Sequence, residues 1–532
     1  MIIMKKYSKY VVIAALALSG MTFNSCTDLV EVPRDKVTSD VLMQDPDLIP
    51  NLIAPALGQL RGLWYRESYW GMQEANSDEL FFPTRGTDWY DGGVWQQNYL
   101  HEWTPIHRDV GSTWNRLNQG IAAANFGISV LGTDENVSSE ILGYRGMLAF
   151  LRDYYMYCLV DLYGIAPTRD PYNTDYTIDP TYLSRTDAFN YITSDLRKII
   201  ETMPERAVAD YGVPNKDAAR MFLAKMYLNK EVFTGQAAWD SCLIYLNQII
   251  DPGTYQLTTN YFGMFGPDNH LNYKNTGDEA IFVAALDDGD DYGMDNQVIW
   301  VTHTFHYNQH LMGDFPSNWN GCCTPEGYLD DCWLNGGTDI TKDVRWVDST
   351  IYPLMSVVNG FNYGQQYDLV GKKILTRSGD PLIFSKECPL DGAAEDQGYR
   401  VLKYAPRNIP VNVTRTPNDY IIWRYADALL MKAECLARKG DMSGALTLVN
   451  QLREKRKAPA LASLQLLDIL KERGRELYWE GHRRQDMIRF GTFLLPKSGG
   501  KDFISPNTAL LIPIPQTAIE ASNGKLVQNP GY

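Results

Sequence analysis

The chain has 532 residues, 45% of them hydrophobic and 12% aromatic, which suffices for a large core and excludes a disordered chain. A formal net charge of −15, with no Lys/Arg-rich stretch, excludes a phosphate track for nucleic acid. Thirteen Trp and 33 Tyr are many, and that surplus calls for an explanation.

Residues 1–25 read as a lipoprotein signal peptide. Lys5, Lys6 and Lys9 form a basic start, and Val11 to Leu18 form an apolar run too short to span a bilayer. Cleavage after Ser25 would free Cys26 for lipidation, although Phe23 and Ser25 depart from the commonest form of such junctions. Losing three Lys and no acid takes the mature charge from −15 to about −18. Residues 26–40 read as a tether.

Residues 41–111 form an aromatic-rich segment: a helical start from Asp47 to Leu63, then loop text; six of the 13 Trp fall from Trp64 to Trp114, five of them in this segment. Residues 112–250 form a helical-repeat scaffold. Trp114, Leu117, Ile121, Ala124, Ile128 and Leu131 step at helical spacing, as do Ile141, Tyr144, Leu148, Leu151, Tyr155, Cys158 and Leu162. Further stripes follow at Phe189–Met203, Ala219–Met226 and Trp239–Ile249. Each helix–turn–helix unit exposes an apolar face until it stacks on a neighbour, which predicts a tetratricopeptide-like solenoid by spacing, without the full repeat consensus.

Residues 251–419 interrupt the array with Gly-, Asn-, Asp- and Tyr-rich text and strand-like runs at Ala280–Ala285 and Val298–Phe305. That is too long for a connection and predicts an irregular subdomain packed on the helices. Residues 420–532 supply a C-terminal helical pair and an extended, Pro-bearing tail. Ile422, Ala426, Leu429, Ala433 and Leu436 share one helix face; Gly440 stops that helix, and Asp441 caps the next. The charges of Glu472, Arg475, Glu476, Glu480, Arg483, Arg484, Asp486 and Arg489 read as solvated and intrahelical ion pairs. The whole predicts a mainly α fold: a helix-hairpin solenoid carrying a loop-rich subdomain.

Few motifs suggest chemistry. His303, His306 and His310 lie near Cys322 and Cys323, but residues three apart in a strand point to opposite faces, so no metal site is expected. Cys322, Cys323 and Cys332 are crowded enough to be candidates for one disulfide, its formation and pairing open. There is no G-x-S-x-G, H-E-x-x-H or phosphate-binding Gly loop, so neither catalysis nor a cofactor is expected. The aromatic surplus speaks more clearly. A sugar ring stacks its C–H face on Trp or Tyr, while its hydroxyls need Asn, Asp or Arg partners. Asp78, Arg85, Trp89, Tyr90, Trp95, Trp103 and Trp319 supply both ingredients in loop text and are the candidate ligand-binding residues.

Several stretches, in order from residue 26 onward, resemble the SusD/RagB family. They are Cys26; Phe150-Leu151-Arg152-Asp153-Tyr154-Tyr155 with Asp161-Leu162-Tyr163-Gly164; Ala218-Ala219 through Leu228; and Arg424-Tyr425-Ala426-Asp427 to Ala433-Glu434. Arg473-Gly474-Arg475-Glu476-Leu477, Glu480-Gly481-His482-Arg483-Arg484 with Asp486, and the ending Gln528-Asn529-Pro530-Gly531-Tyr532 complete the set. The resemblance implies an outer-membrane, cell-surface-facing lipoprotein of Bacteroidetes. Such a protein binds a glycan or other nutrient and hands it to a SusC-like TonB-dependent transporter, over four tetratricopeptide-like helix pairs and without catalysis. It carries over no individual ligand contact. A surface glycoside hydrolase, or a structural lid for the transporter with no glycan affinity, are the alternatives.

Overall fold

A computed structural model describes residues 48–532 except 174–177, 208–211, 268, 271–278, 287–302, 310–317, 336, 349–356, 369 and 406–417. The signal peptide, the tether, Cys26, His310 and most of the Val298–Phe305 run lie outside the described residues.

Helix α1 (Pro50–Leu63) opens on a proline, whose missing N–H costs nothing in a first turn. A short α2 (Tyr69–Glu74) and α3 (Val94–Leu100) flank the aromatic loop. Two long helices follow, α4 (Arg108–Leu131) and α5 (Ser139–Tyr163), the second capped by Ser138 accepting from the amide of Ile141. From Gly146 to Tyr163 every residue of α5 is buried, Arg152 and Asp153 included as an ion pair at 2.9 Å. This is the central helix. A hairpin of β1 (Ile165–Thr168) and β2 (Thr181–Ser184) leads to α6 (Arg185–Ile199), α7 (Lys216–Leu228), the short α8 (Lys230–Thr234) and α9 (Trp239–Ile250). The predicted stripes of α4, α5, α6, α7 and α9 are the faces that pack, α4 on α5, α5 on α6 and α7 on α9.

The loop-rich part contributes β3 (Ala280–Ala284), β4 (Val347–Asp348), β5 (Asn359–Asn362), β6 (Gly364–Gln365), β7 (Ile383–Phe384) and β8 (Arg400–Leu402), with β4-β5-β8 as one small sheet and β6-β7 as a hairpin. Strand β9 (Tyr420–Arg424) pairs antiparallel with β3 and stitches this part to the C-terminal helices α10 (Tyr425–Arg438), α11 (Met442–Lys455), α12 (Leu466–Leu477), α13 (Arg483–Arg489) and α14 (Gln516–Ala521). Ile422, expected on a helix face, is therefore in a strand; its β-branched and aromatic neighbours suit that setting. Gly440 (φ +91°) and Asp441, accepting from the amide of Gly444 at 2.8 Å, close α10 and open α11 as expected.

The charged run of α12 and α13 is not solvated. Glu472, Arg475, Glu476, Glu480, Arg483, Arg484 and Asp486 are buried and Arg489 is half-buried, and most pair across elements. Glu476 meets Arg424 at 2.6 Å, Arg456 at 2.7 Å and Arg345 at 3.1 Å; Glu480 meets Arg424 at 2.7 Å; Arg484 meets Asp161 at 3.1 Å. Only Glu472–Arg475 and Asp486–Arg489 are intrahelical pairs within that run. The charges face inward because Arg424 on β9, Arg456 after α11 and Arg345 before β4 converge on the inner face of α12. A buried carboxylate flanked by several guanidiniums is tolerable where a lone one is not. Burial pushes the Glu472 carboxyl up, but Arg345, Arg475 and Arg453 outweigh it and hold the group at about 2.

The cysteines near the irregular stretch are free and buried, and Cys323 approaches Cys388 (Sγ–Sγ 3.7 Å), so the candidate bridge among Cys322, Cys323 and Cys332 is not made.

Candidate functional site

An open cleft of about 540 Å³ lies between the 85–91 loop and the 303–309 and 318–321 segments, lined by Arg66, Glu67, Asp88, Trp89, Asp91, Arg108, Tyr307, Asn318 and Trp319. The 85–91 loop is a tight turn in which Arg85 and Asp88 exchange backbone hydrogen bonds at 3.0 Å, with Gly86 at φ +63°. Trp89 itself sits at φ +63° and Asp91 at φ +43°. A left-handed backbone under a bulky residue costs about 1–3 kcal/mol and persists only where the surroundings dictate it.

Those surroundings are specific. The Trp89 indole donates to the carbonyl of Trp319 at 2.8 Å and rests against Gly321, where an added Cβ would lie 2.3 Å from the ring. Phe82 lies 5.3 Å from Trp89 between ring centroids, and the two indoles of Trp89 and Trp319 stand 6.1 Å apart at 48°. Trp319 stacks one face on His303 at 4.1 Å and 21°. Arg66 sits behind both, with its guanidinium 5.2 Å from the Trp319 ring and 5.6 Å from Trp89, and 3.0 Å from His303 Nδ1. Burial, and then the adjacent Arg66, hold the His303 imidazole well below its ordinary range, so it is neutral and can accept a hydrogen bond from the guanidinium N–H. The other face of Trp319 is open, the residue being 43% exposed.

The polar wall is as ordered. Tyr307 donates its hydroxyl to Asp88 Oδ2 at 2.6 Å, and burial together with Asp88 pushes that phenol up. Asp91 accepts from the Trp95 indole at 2.7 Å, and Glu67 lies between Arg66 at 3.1 Å and Arg108 at 3.5 Å. Asn318 donates to the carbonyl of Gln309. The lining holds two guanidiniums, Arg66 and Arg108, against three carboxylates, Glu67, Asp88 and Asp91. Carboxylate and amide oxygens beside a free indole face can receive hydroxyl hydrogens while a C–H face stacks.

Of the sequence candidates, the structure brings Trp89 and Trp319 together, 230 residues apart in the chain. Tyr90 is 58% exposed but does not line the cleft. Trp95 and Trp103 are core residues: Trp95 stacks on Phe82 at 4.3 Å, and Trp103 stacks on His101 at 5.1 Å while donating to Asn98, so neither has a face left for a ligand. Arg85 points inward to the carbonyls of Ala394 and Gln397 and anchors the loop. Asp78 lies in a different depression, paired with Arg483 at 2.7 Å beside Lys471 and Lys497. His303 and His306 turn to different partners, Arg66 and Glu395. Among the described residues no cluster of three or more His, Cys, Asp or Glu is placed to hold a metal ion.

Two family models match this chain: the SusD family over residues 385–532, and "Starch-binding associating with outer membrane" over residues 71–228. The starch-binding protein SusD of Bacteroides thetaiotaomicron is 26% identical over 488 residues, 86% of this chain and 85% of that protein. Over these two regions, and along most of its length, the chain is similar to the SusD/RagB family. Its fold is that of solved SusD-like structures. Surface glycan-binding protein A from Bacteroides uniformis superposes with a TM-score of 0.69 at 18% identity, covering 91% of this chain and 99% of that one. Its counterpart from Bacteroides thetaiotaomicron, solved with laminarihexaose, gives 0.64 at 19% identity over the same shares. The Trp89 wall falls inside a matched region, whereas the Trp319 wall lies between the two.

Sequence reasoning, which had Asp88 among the polar residues interleaved with the aromatics, missed Arg66, Tyr307 and Gly321 as parts of the site. Arg66 follows a helix end, and Gly321 matters only because an indole from another segment lies on it. No local pattern announces either.

Proposed function

We propose that this chain is a cell-surface lipoprotein that captures a neutral or weakly charged oligosaccharide in the Trp89–Trp319 cleft. It then passes the sugar to a SusC-like TonB-dependent transporter in the outer membrane. The observation that carries the reading is the free face of Trp319, fixed from behind by His303 and Arg66 beside hydrogen-bonding carboxylates. The carboxylates Glu67, Asp88 and Asp91 offset the guanidiniums around the cleft, so it offers no net positive field to a polyanionic glycan. A relative named for starch binding, and a fold neighbour solved with laminarihexaose, support a neutral glucan as ligand. The same names describe binding proteins, which supports capture without catalysis. The helix hairpins, which we read as tetratricopeptide-like, give the loops a rigid frame, and Cys26 would carry the lipid anchor.

Affinity-gel electrophoresis of protein lacking residues 1–26, against starch, laminarin and an acidic polysaccharide, tests this. Retardation by a neutral glucan without release of reducing ends is expected. Released reducing ends would favour the hydrolase, and no retardation by any of them the lid. A Cys26→Ser variant should leave the membrane fraction, because stable anchoring needs more than one acyl chain and none could then be attached; retention in detergent-extractable membranes without the transporter would overturn the anchor.

A further inference from the structure

We propose that Arg377 is a positioning residue that fixes the spacing of the two indoles and so tunes which glycan the cleft accepts; this rests on the glycan-binding reading. Arg377 belongs to neither wall. It lies in the turn at 376–379 between β6 and β7, with its side chain 51% exposed. Yet its contacts reach both sides. Nη2 lies 3.4 Å from Asp88 Oδ2, and Asp88 immediately precedes Trp89. Nε pairs with Glu395 Oε1, and the Arg377 amide donates to Glu395 Oε2 at 3.0 Å. The backbone carbonyl of Glu395 accepts from Asn320 at 3.1 Å, and Asn320 immediately follows Trp319. The guanidinium also covers Tyr307 at 4.2 Å, whose hydroxyl bonds Asp88.

One side chain therefore ties the residue before one indole to the residue after the other. A long exposed Arg is normally free to sample rotamers, and holding it in place is unfavourable unless several partners fix the planar fork. Burial pushes the Glu395 carboxyl up, but the Arg377 amide, His306 and the guanidinium hold it down at about 2, so the tie is charged throughout the physiological range. A Lys has the charge but not the fork, so it cannot span both carboxylates.

The test uses the mature full-length chain, with maltohexaose and laminarihexaose as probes of different curvature. Arg377→Ala should weaken the better probe about tenfold and change the ratio of the two affinities, with an unchanged melting temperature. Arg377→Lys should restore only part of both. Hydrogen exchange at residues 86–91 and 305–309 should speed up in Arg377→Ala. Equal affinities, an unchanged ratio and unchanged exchange would overturn the proposal, as would a ratio unchanged despite uniform weakening. If the parent binds neither probe, the glycan reading has failed, and the exchange comparison alone decides whether Arg377 orders the two segments.

Discussion

Trp319→Ala separates ligand stacking from packing. Trp319 is 43% exposed, and its covered face is taken by His303. A Trp side chain offers about 250 Å², so about 110 Å² remains for a ligand. At ~25 cal/mol per Å² that area is worth up to about 2.7 kcal/mol. Ordering a sugar ring and the loop consumes part of it, which leaves about 1–2 kcal/mol, or roughly a five- to thirtyfold rise in Kd. Isothermal titration with the glucan identified by affinity gel is the assay, with a melting curve beside it. The ring leaves a surface notch and no sealed cavity, so stability should fall much less than for a core truncation. Parent-like affinity with a native melting curve would refute the stacking role; unfolding would mean that the ring serves the core.

Gly321→Ala places a Cβ 2.3 Å from the Trp89 ring and 2.8 Å from the carbonyl of His303, so it should displace the indole and weaken glycan binding about as much as Trp89→Ala, read by the same titration. Leu151→Ala, on the fully buried face of α5, should cost about 2–5 kcal/mol in denaturant unfolding while sparing the affinity of the folded fraction. Acid should unfold the chain through the α12–α13 network. Glu472 and Asp486 sit at about 2 against ordinary values of 4.5 and 3.8, so their contribution is complete above about pH 4.5 and is lost as pH falls towards 2, which circular dichroism against pH will follow. Glu79 has the opposite sign: burial raises it to about 7 against the opposing hydrogen bond with Glu74, so its contribution is complete below about pH 4.5 and is lost as pH rises through about 7. Glu79→Gln should flatten the fall in melting temperature between about pH 4.5 and pH 7.

The helices were legible because their signals are local. The spacing of Leu117, Ile121 and Ile128, the Gly440 stop and the Asp441 cap each act within a turn or two, and the structure keeps them. The charges of α12 were misread because burial of Glu476 depends on Arg345, Arg424 and Arg456, which come from three other segments. A pattern of acids and bases on one helix looks the same whether water or those guanidiniums face it. The cleft shows the same divide. Loop composition located Trp89 and Trp319, but it could not tell them from Trp95 and Trp103, whose rings are covered by Phe82 and His101. Exposure of an indole is a property of what lands on it.

A crystal structure of the chain with the glucan that retards it most tests the central claim directly. The account predicts a sugar ring in van der Waals contact with the free face of Trp319, with hydroxyls directed to Asp88, Asp91 or Asn318. Sugar bound elsewhere, with the Trp89–Trp319 cleft empty, would contradict it.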